Sequence, residues 1–168
     1  VPLPLKPKRE IMSDDILSYL PAMRAFARSL ARNATDADDL VQETLLRALE
    51  NIHRYTPGTN LRAWLFTIMR NRFFTNCRKA ARERTGAPDC ASLAPQVKPD
   101  QEWHLQACEL QAALRAMPVH YREAIVLVGA LGESYLDASR ILDCDIGTIK
   151  SRVNRARSML RRVLEPAF

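Results

Sequence analysis

The sequence predicts an all-α protein, two small helical domains joined by a flexible linker, with a helix-turn-helix in the second. Three observations predict it. Apolar residues recur at spacings of three and four through most of the 168 residues, the period of an amphipathic helix. The period-two alternation of a half-buried strand appears nowhere. TGAPDCASLAPQVKP, 85–99, concentrates three prolines and small residues without periodicity, as a linker does. The division that follows is a disordered arm at 1–10, a first domain at 11–86, the linker at 87–106 and a second domain at 107–168.

Taken in order, VPLPLKPKRE holds three prolines and three bases and reads as the arm. Helical spacing then runs from about Ser13 to Arg32 through Ile16, Leu20, Met23, Phe26 and Leu30. Pro21 inside it demands a kink or a fresh helix. A second helix follows Thr35, a candidate N-cap with acids in the next turn, and reaches about His53. YTPGTN, 55–60, is a loop around a Pro-Gly turn. A third long helix spans about Leu61 to Glu83.

After the linker, helices are expected at about Asp100–Met117, Val119–Leu131, Ser134–Leu142 and Ile146–Leu164. Ser134 with Asp137 three residues on forms a capping-box pattern. Asp143-Cys144-Asp145 supplies the turn, and Gly147 would allow close approach where the last helix begins. The alternative for this pair is an αα-hairpin that packs for its own sake.

The last helix argues against that. Six bases and no acid stand between Lys150 and Arg162, a self-repelling arrangement unless something anionic lies alongside. Ile146, Ile149, Val153, Ala156 and Leu160 form one apolar stripe. At 100° per residue the opposite face carries Thr148, Ser151, Asn154, Arg155 and Ser158, flanked by Lys150, Arg152 and Arg157. Short polar groups at the centre can read base edges in a DNA groove while long cations at the edges grip phosphates.

Two helices of the first domain carry further signals. DADDLVQETLLRALENI, 36–52, buries Leu40, Val41, Thr44, Leu45, Ala48 and Ile52. Its opposite face shows Asp39, Gln42, Glu43, Glu50 and the apolar Leu46. That face is either an ordinary solvated surface with one exposed leucine or a docking site for a basic partner anchored by Leu46. LRAWLFTIMRNRFFTNCRKAARER, 61–84, mixes seven bases with four aromatics. Trp64, Leu65 and Ile68 make a buried stripe. The remaining rings either pack on the first two helices or stack on unpaired bases. Asn71, between Arg70 and Arg72, is placed to hydrogen-bond one extruded base, with Arg70, Phe74, Arg78 and Lys79 along the same helix.

Composition narrows the partners. Net charge is +6, and both domains are basic, which points to an anionic partner. No apolar run approaches a membrane span and no signal pattern opens the chain, so a cytoplasmic protein without membrane insertion is expected. Cys77, Cys90, Cys108 and Cys144 are scattered without a CxxC pair, which argues against a disulfide framework. His104, Cys108 and Cys90 supply three ligands where structural zinc wants four. No metal and no cofactor are expected, and no catalytic constellation stands out.

DADDLVQETLLRAL, GTNLRAWLFTIMRN, REAIVLVGALGESYLDASRIL and DIGTIKSRVNRAR together resemble bacterial extracytoplasmic-function sigma factors in order and spacing, over about residues 13–164. The wording of GTNLRAWLF and GTIKSRVNRAR is most similar to the general-stress-response subgroup of alphaproteobacteria. The resemblance implies a non-enzymatic subunit that binds core RNA polymerase and directs it to promoter DNA. Asp39, Gln42, Glu43 and Leu46 would meet the polymerase clamp helices. Pro57, Gly58, Thr59 and Asn60 with Asn71 would capture a flipped base as the −10 element opens. The second domain would read the −35 element and contact the flap, and an anti-sigma factor would block these surfaces on a chain that is monomeric when free. Two departures stand out: Asn154, aromatic in some relatives, and SYLDASRIL, with Leu136 and Ser139, where SYEEAA is frequent. The competing readings are a sigma-like mimic that sequesters an anti-sigma factor and a stand-alone repressor. A mimic would be expected to lose Asn71, Lys150, Arg152 and Arg155, and a repressor leaves the acidic face unexplained.

Overall fold

The computed structural model describes residues 15–83 and 102–164, with side chains of the second segment from residue 107 onward. Among the described residues every regular element is helical. The expected arm at 1–10 and most of the expected linker at 87–106 lie outside them.

A short helical stretch, 15–18, ends at Tyr19, and α1 (Leu20–Leu30) starts afresh with Pro21 in its first turn. There a missing N–H leaves no hydrogen bond unmade. Met23, Phe26, Ala27 and Leu30 form its buried stripe. α2 (Ala34–Glu50) is capped by Asn33, not by Thr35. The Asn33 side-chain oxygen accepts from the Asp36 N–H at 2.8 Å, and its amide donates to the Asp36 carboxylate at 3.0 Å. An amide carries both an acceptor and donors, so it closes a two-bond box with Asp36. α2 buries Ala37, Leu40, Val41, Thr44 and Ala48, while Leu45 and Ile52 are only half-buried. Thr44 is tolerated in the core because its hydroxyl donates to the Leu40 carbonyl at 2.6 Å.

A 3₁₀ turn, Ile52–Arg54, leads into the 55–60 loop. Gly58 takes a φ of +89° there, a conformation glycine adopts without penalty. The Tyr55 hydroxyl donates across the loop to the Thr59 carbonyl at 2.6 Å. The Asn60 side chain accepts from the Ala63 N–H at 3.1 Å and so caps α3 (Leu61–Glu83). The buried face of α3 is Leu61, Ala63, Leu65, Phe66 and Met69, with Phe66 against Phe26 at 5.1 Å between ring centres. The expected stripe is thus rotated: Leu65 is buried, but Trp64 and Ile68 are half-buried.

In the second segment, α4 (Glu102–Ala116) precedes α5 (Val119–Ile125), which begins after Pro118. α5 runs on as a π turn, Val126–Ala130, where the Leu131 N–H reaches back five residues to the Val126 carbonyl at 2.9 Å. Ser134 caps α6 (Tyr135–Leu142), accepting from the Asp137 N–H at 3.0 Å as a capping box predicts, while its hydroxyl donates to the Asp137 carboxylate at 2.7 Å. The turn to α7 (Ile146–Leu164) is made by Asp143 at a φ of +49°, a left-handed position that aspartate tolerates better than most residues. Gly147 is not a point of close approach, since nothing beyond its own helix and chain neighbours lies within 4 Å of where its Cβ would stand.

The helices before and after the linker region share one continuous core, from Ile16 to Val153. α6 lies along α3, and α5 packs on α1. Arg122 ties this seam from inside. Its buried guanidinium donates to the carbonyls of Ser29 at 2.9 Å, Arg115 at 3.0 Å and Met117 at 2.8 Å.

Candidate nucleic-acid interface

A cavity of about 380 Å³ opens between the end of α2, the 3₁₀ turn and α3. It is lined by Arg47, Asn51, Arg54, Trp64, Ile68, Asn71, Arg72 and Thr75. Its volume falls at the small end of ligand pockets, roughly 300–1,000 Å³. Its chemistry suits one unpaired nucleotide: an indole to stack on, amides to bond a base edge, and three guanidiniums for phosphate. Tyr55 stacks obliquely on Trp64 at 5.4 Å and, through its bond to Thr59, ties the 55–60 loop to the cavity wall. Pro57, Gly58, Thr59 and Asn60 are exposed but do not line the cavity.

Of the residues expected at the −10 element, the structure brings only Asn71 into the cavity. Arg70 points to the seam: its Nε lies 3.0 Å from the Glu123 carboxylate, and its guanidinium sits 4.9 Å from the centre of the Phe74 ring. Phe74 meets Phe73 edge-on at 5.2 Å, so this aromatic pair is half-buried and not a free stacking platform. Arg78 and Lys79 stand exposed near the end of α3. The residues that complete the cavity were passed over in the sequence. A signal for them exists, because Arg47, Asn51 and Arg54 follow one another at spacings of four and three, along one helical face.

On α2, Asp39, Gln42 and Leu46 are exposed, Leu46 at 62%, and Leu49 adds a second exposed apolar residue. Glu43 differs from its neighbours. It accepts from Arg72 Nε at 2.7 Å and from the Asn76 amide at 2.9 Å. The Arg72 bond holds the Glu43 carboxyl below the usual carboxylate range and fixes Arg72 on the cavity wall.

On α7, Ile149, Val153 and Ala156 are buried. Ile146 and Leu160 lie at the margins of that stripe. Lys150, Ser151, Asn154, Arg155, Arg157 and Ser158 face outward, with Thr148 and Arg152 half-buried. Arg155 donates to the Tyr121 hydroxyl at 3.1 Å, so α5 steadies the cation nearest the middle of the outward face. A shallow concavity of about 210 Å³ runs along Asn154, Arg155, Ser158, Met159 and Arg162.

Between the two halves lie two carboxylates that the sequence reading did not single out. Burial pushes the Glu123 carboxyl above its ordinary range and Arg70 pulls it back, with smaller pulls from Arg152 and Arg122. Glu133 is likewise raised by burial and drawn down by Arg62. The Arg62 Nε and a Glu133 oxygen are 2.7 Å apart, but both atoms lack an aligned hydrogen bond, so this contact is an ion pair only. Among the described residues no group of three metal-binding side chains comes together. Cys90 and the His104 side chain lie outside those residues. No described helix is long and apolar enough to cross a membrane.

Comparison with known proteins accounts for both halves. A sigma-70 region 2 model matches residues 16–83 and a sigma-70 region 4 model matches residues 109–160. The ECF RNA polymerase sigma factor EcfG of Rhodopseudomonas palustris (strain TIE-1) is 53% identical over 158 residues, covering 94% of this chain and 87% of that protein. The fold is similar to the sigma factor RpoE of Bartonella quintana, solved with the anti-sigma factor NepR, at a TM-score of 0.80 and 40% identity over 95% of this chain and 99% of that one. It is also similar to CnrH, solved with the cytosolic domain of CnrY, at a TM-score of 0.70 and 25% identity over 96% and 92%. With both sigma-70 regions present in order and more than half of the aligned residues shared with EcfG, the chain belongs to the extracytoplasmic-function sigma factors of RNA polymerase.

Proposed function

We propose that this sigma factor opens its promoters by drawing one −10 base into the cavity beside Asn71, while α7 reads the −35 element. The observation that carries the reading is the cavity itself, which places an indole, two asparagines and three guanidiniums around a space of nucleotide size. On α7, Thr148, Ser151, Asn154 and Arg155 read bases, and Lys150, Arg152 and Arg157 hold phosphates. Asp39, Gln42 and Leu46 dock on the polymerase clamp, and Glu43 divides its contacts between that face and Arg72. The functional units are residues 11–86 and 107–168, joined by 87–106. The chain works in the cytoplasm without chemistry of its own, on stress-response promoters. RpoE was solved in complex with the anti-sigma factor NepR, and an anti-sigma factor binds this chain as well.

Run-off transcription with purified core polymerase on a promoter panel tests this. Promoter-specific transcripts are expected, alongside weak binding of the free protein to promoter duplex. Tight operator binding without polymerase, and no transcript with it, would instead identify a repressor.

Leu46→Asp is expected to weaken binding to core polymerase at least tenfold while shifting the melting temperature little, because an exposed site accepts a charge within about 0.5 kcal/mol. Loss of helicity in that variant would place Leu46 in the core.

Arg155→Ala is expected to cost on the order of 1–3 kcal/mol at the −35 element and to relax base preference there. Arg157→Ala, on the flank, is expected to weaken all sequences alike. Both variants are compared on wild-type and base-substituted −35 promoters at one salt concentration. Equal weakening by Arg155→Ala across that set would assign reading to Thr148, Ser151 and Asn154 alone.

A further inference from the structure

The polar groups on the outward face of α7 differ in what they have left to offer a base. The Ser151 hydroxyl donates to the Thr148 carbonyl at 2.9 Å, and the Ser158 hydroxyl donates to the Asn154 carbonyl at 3.1 Å. A hydroxyl has a single proton, so both serines, turned onto their own helix, keep only acceptor capacity. Arg155 is the reverse, a planar fork of donors with no acceptor. It stands exposed on that face, where a long unbranched side chain ordinarily samples many rotamers. Here it is tethered: Nη1 donates to the Tyr121 hydroxyl at 3.1 Å.

Tyr121 is a well-fixed acceptor. It is half-buried, its ring lies 4.0 Å from that of His120 between centres, and the residues that follow it on α5, Arg122, Glu123 and Ala124, are buried. α5 packs along α7. Both members of the bond belong to the second half of the chain, so the tether does not depend on how the two halves meet.

We propose that Tyr121 is a positioning residue for the −35 element: its hydroxyl holds Arg155 in the orientation that reads a base edge, and so sets sequence preference without touching the base. The inference rests on the assignment of −35 reading to Arg155. One N–H goes to Tyr121, and the remaining donors of the fork stay available for a two-pronged contact with a base. A side chain ordered before DNA arrives loses less freedom on binding. Against a mismatched base, a free arginine can swing to a nearby phosphate and recover a contact that carries no sequence information. A tethered one must break the Tyr121 bond to do so. The tether therefore penalises wrong sequences more than it strengthens binding to the right one.

The test assembles the full chain with core polymerase and measures half-saturation on wild-type and base-substituted −35 promoters at one salt concentration. Tyr121→Phe keeps the ring and its packing on His120 and removes only the hydroxyl, and circular dichroism verifies its fold. The ratio between the two promoters is expected to fall by about three- to fivefold in Tyr121→Phe, the scale of ordering one flexible side chain. In an Arg155→Ala background the same change is expected to do nothing further, because no guanidinium remains to be held. An unchanged ratio in Tyr121→Phe overturns the proposal. So does equal weakening on every promoter that adds to the effect of Arg155→Ala, since Tyr121 would then grip phosphate itself. Arg155→Ala alone separates the two levels. If it relaxes base preference while Tyr121→Phe does not, only the positioning role falls. If it weakens all promoters alike, base reading by Arg155 falls and the positioning role falls with it.

Discussion

Replacing Arg122 with Met is expected to lower the unfolding free energy by about 3 kcal/mol, because it removes the donor that serves the Ser29, Arg115 and Met117 carbonyls at the seam. The three carbonyls that Arg122 serves are not scattered. Ser29 lies in the last turn of α1, Arg115 in the last turn of α4, and Met117 just beyond it. Helix C-termini leave carbonyls without intrahelical partners, so one guanidinium caps two helices from different parts of the chain. Methionine fills much of the same volume and donates nothing. Arg122→Lys keeps the charge but replaces a planar fork with a point donor, and is expected to recover only part of the loss. Urea unfolding followed by circular dichroism reads the difference as a shift in midpoint. A wild-type midpoint for Arg122→Met would show that these carbonyls find water once the side chain is gone.

Asn71→Ala is expected to reduce open-complex formation by one to two orders of magnitude at saturating polymerase, since a lost base-edge amide is worth roughly 1–3 kcal/mol. The residue is exposed on α3 and lines the cavity, so the helix and its packing should survive the change. Fluorescence of 2-aminopurine placed across the −10 element separates the step affected. In the wild type one position should report unstacking from its neighbours, and in Asn71→Ala that signal should fall. Polymerase binding and −35 protection should stay near wild-type levels. Full unstacking by Asn71→Ala would move the capturing role to Trp64 or Arg72.

Fold class was legible because it follows from local spacing. α3 begins at the residue its periodicity indicates, and Ser134 with Asp137 announces α6 by hydrogen bonds made within four residues. Local signals failed where two options were locally equivalent. Asn33 and Thr35 both resemble caps, and only the reciprocal bonds to Asp36 choose between them. The direction of the core around α3 was also hidden. Trp64 is as apolar as Leu65, and its half-exposure comes from a cavity whose far wall is built by α2. For the same reason Arg47, Asn51 and Arg54 escaped notice: their spacing is helical, but what they face is contributed by α3, a separate helix later in the chain. Glu123 and Glu133 were legible only as two acids in an amphipathic stretch. Their burial against Arg70 and Arg62 depends on how the two halves meet, and periodicity carries nothing about that.

The depth of the Glu123–Arg70 pair has a consequence for ionic strength. Mobile ions screen exposed charges over about 8 Å at physiological salt but reach buried pairs far less. The phosphate contacts proposed for exposed cations such as Lys79, Lys150 and Arg157 are expected to weaken steeply as salt rises, through the release of counterions from DNA. The pair sealed in the seam does not share that dependence. Added salt therefore strips the protein's outward electrostatics and leaves its inward electrostatics in place, so a salt titration of the free chain separates the two.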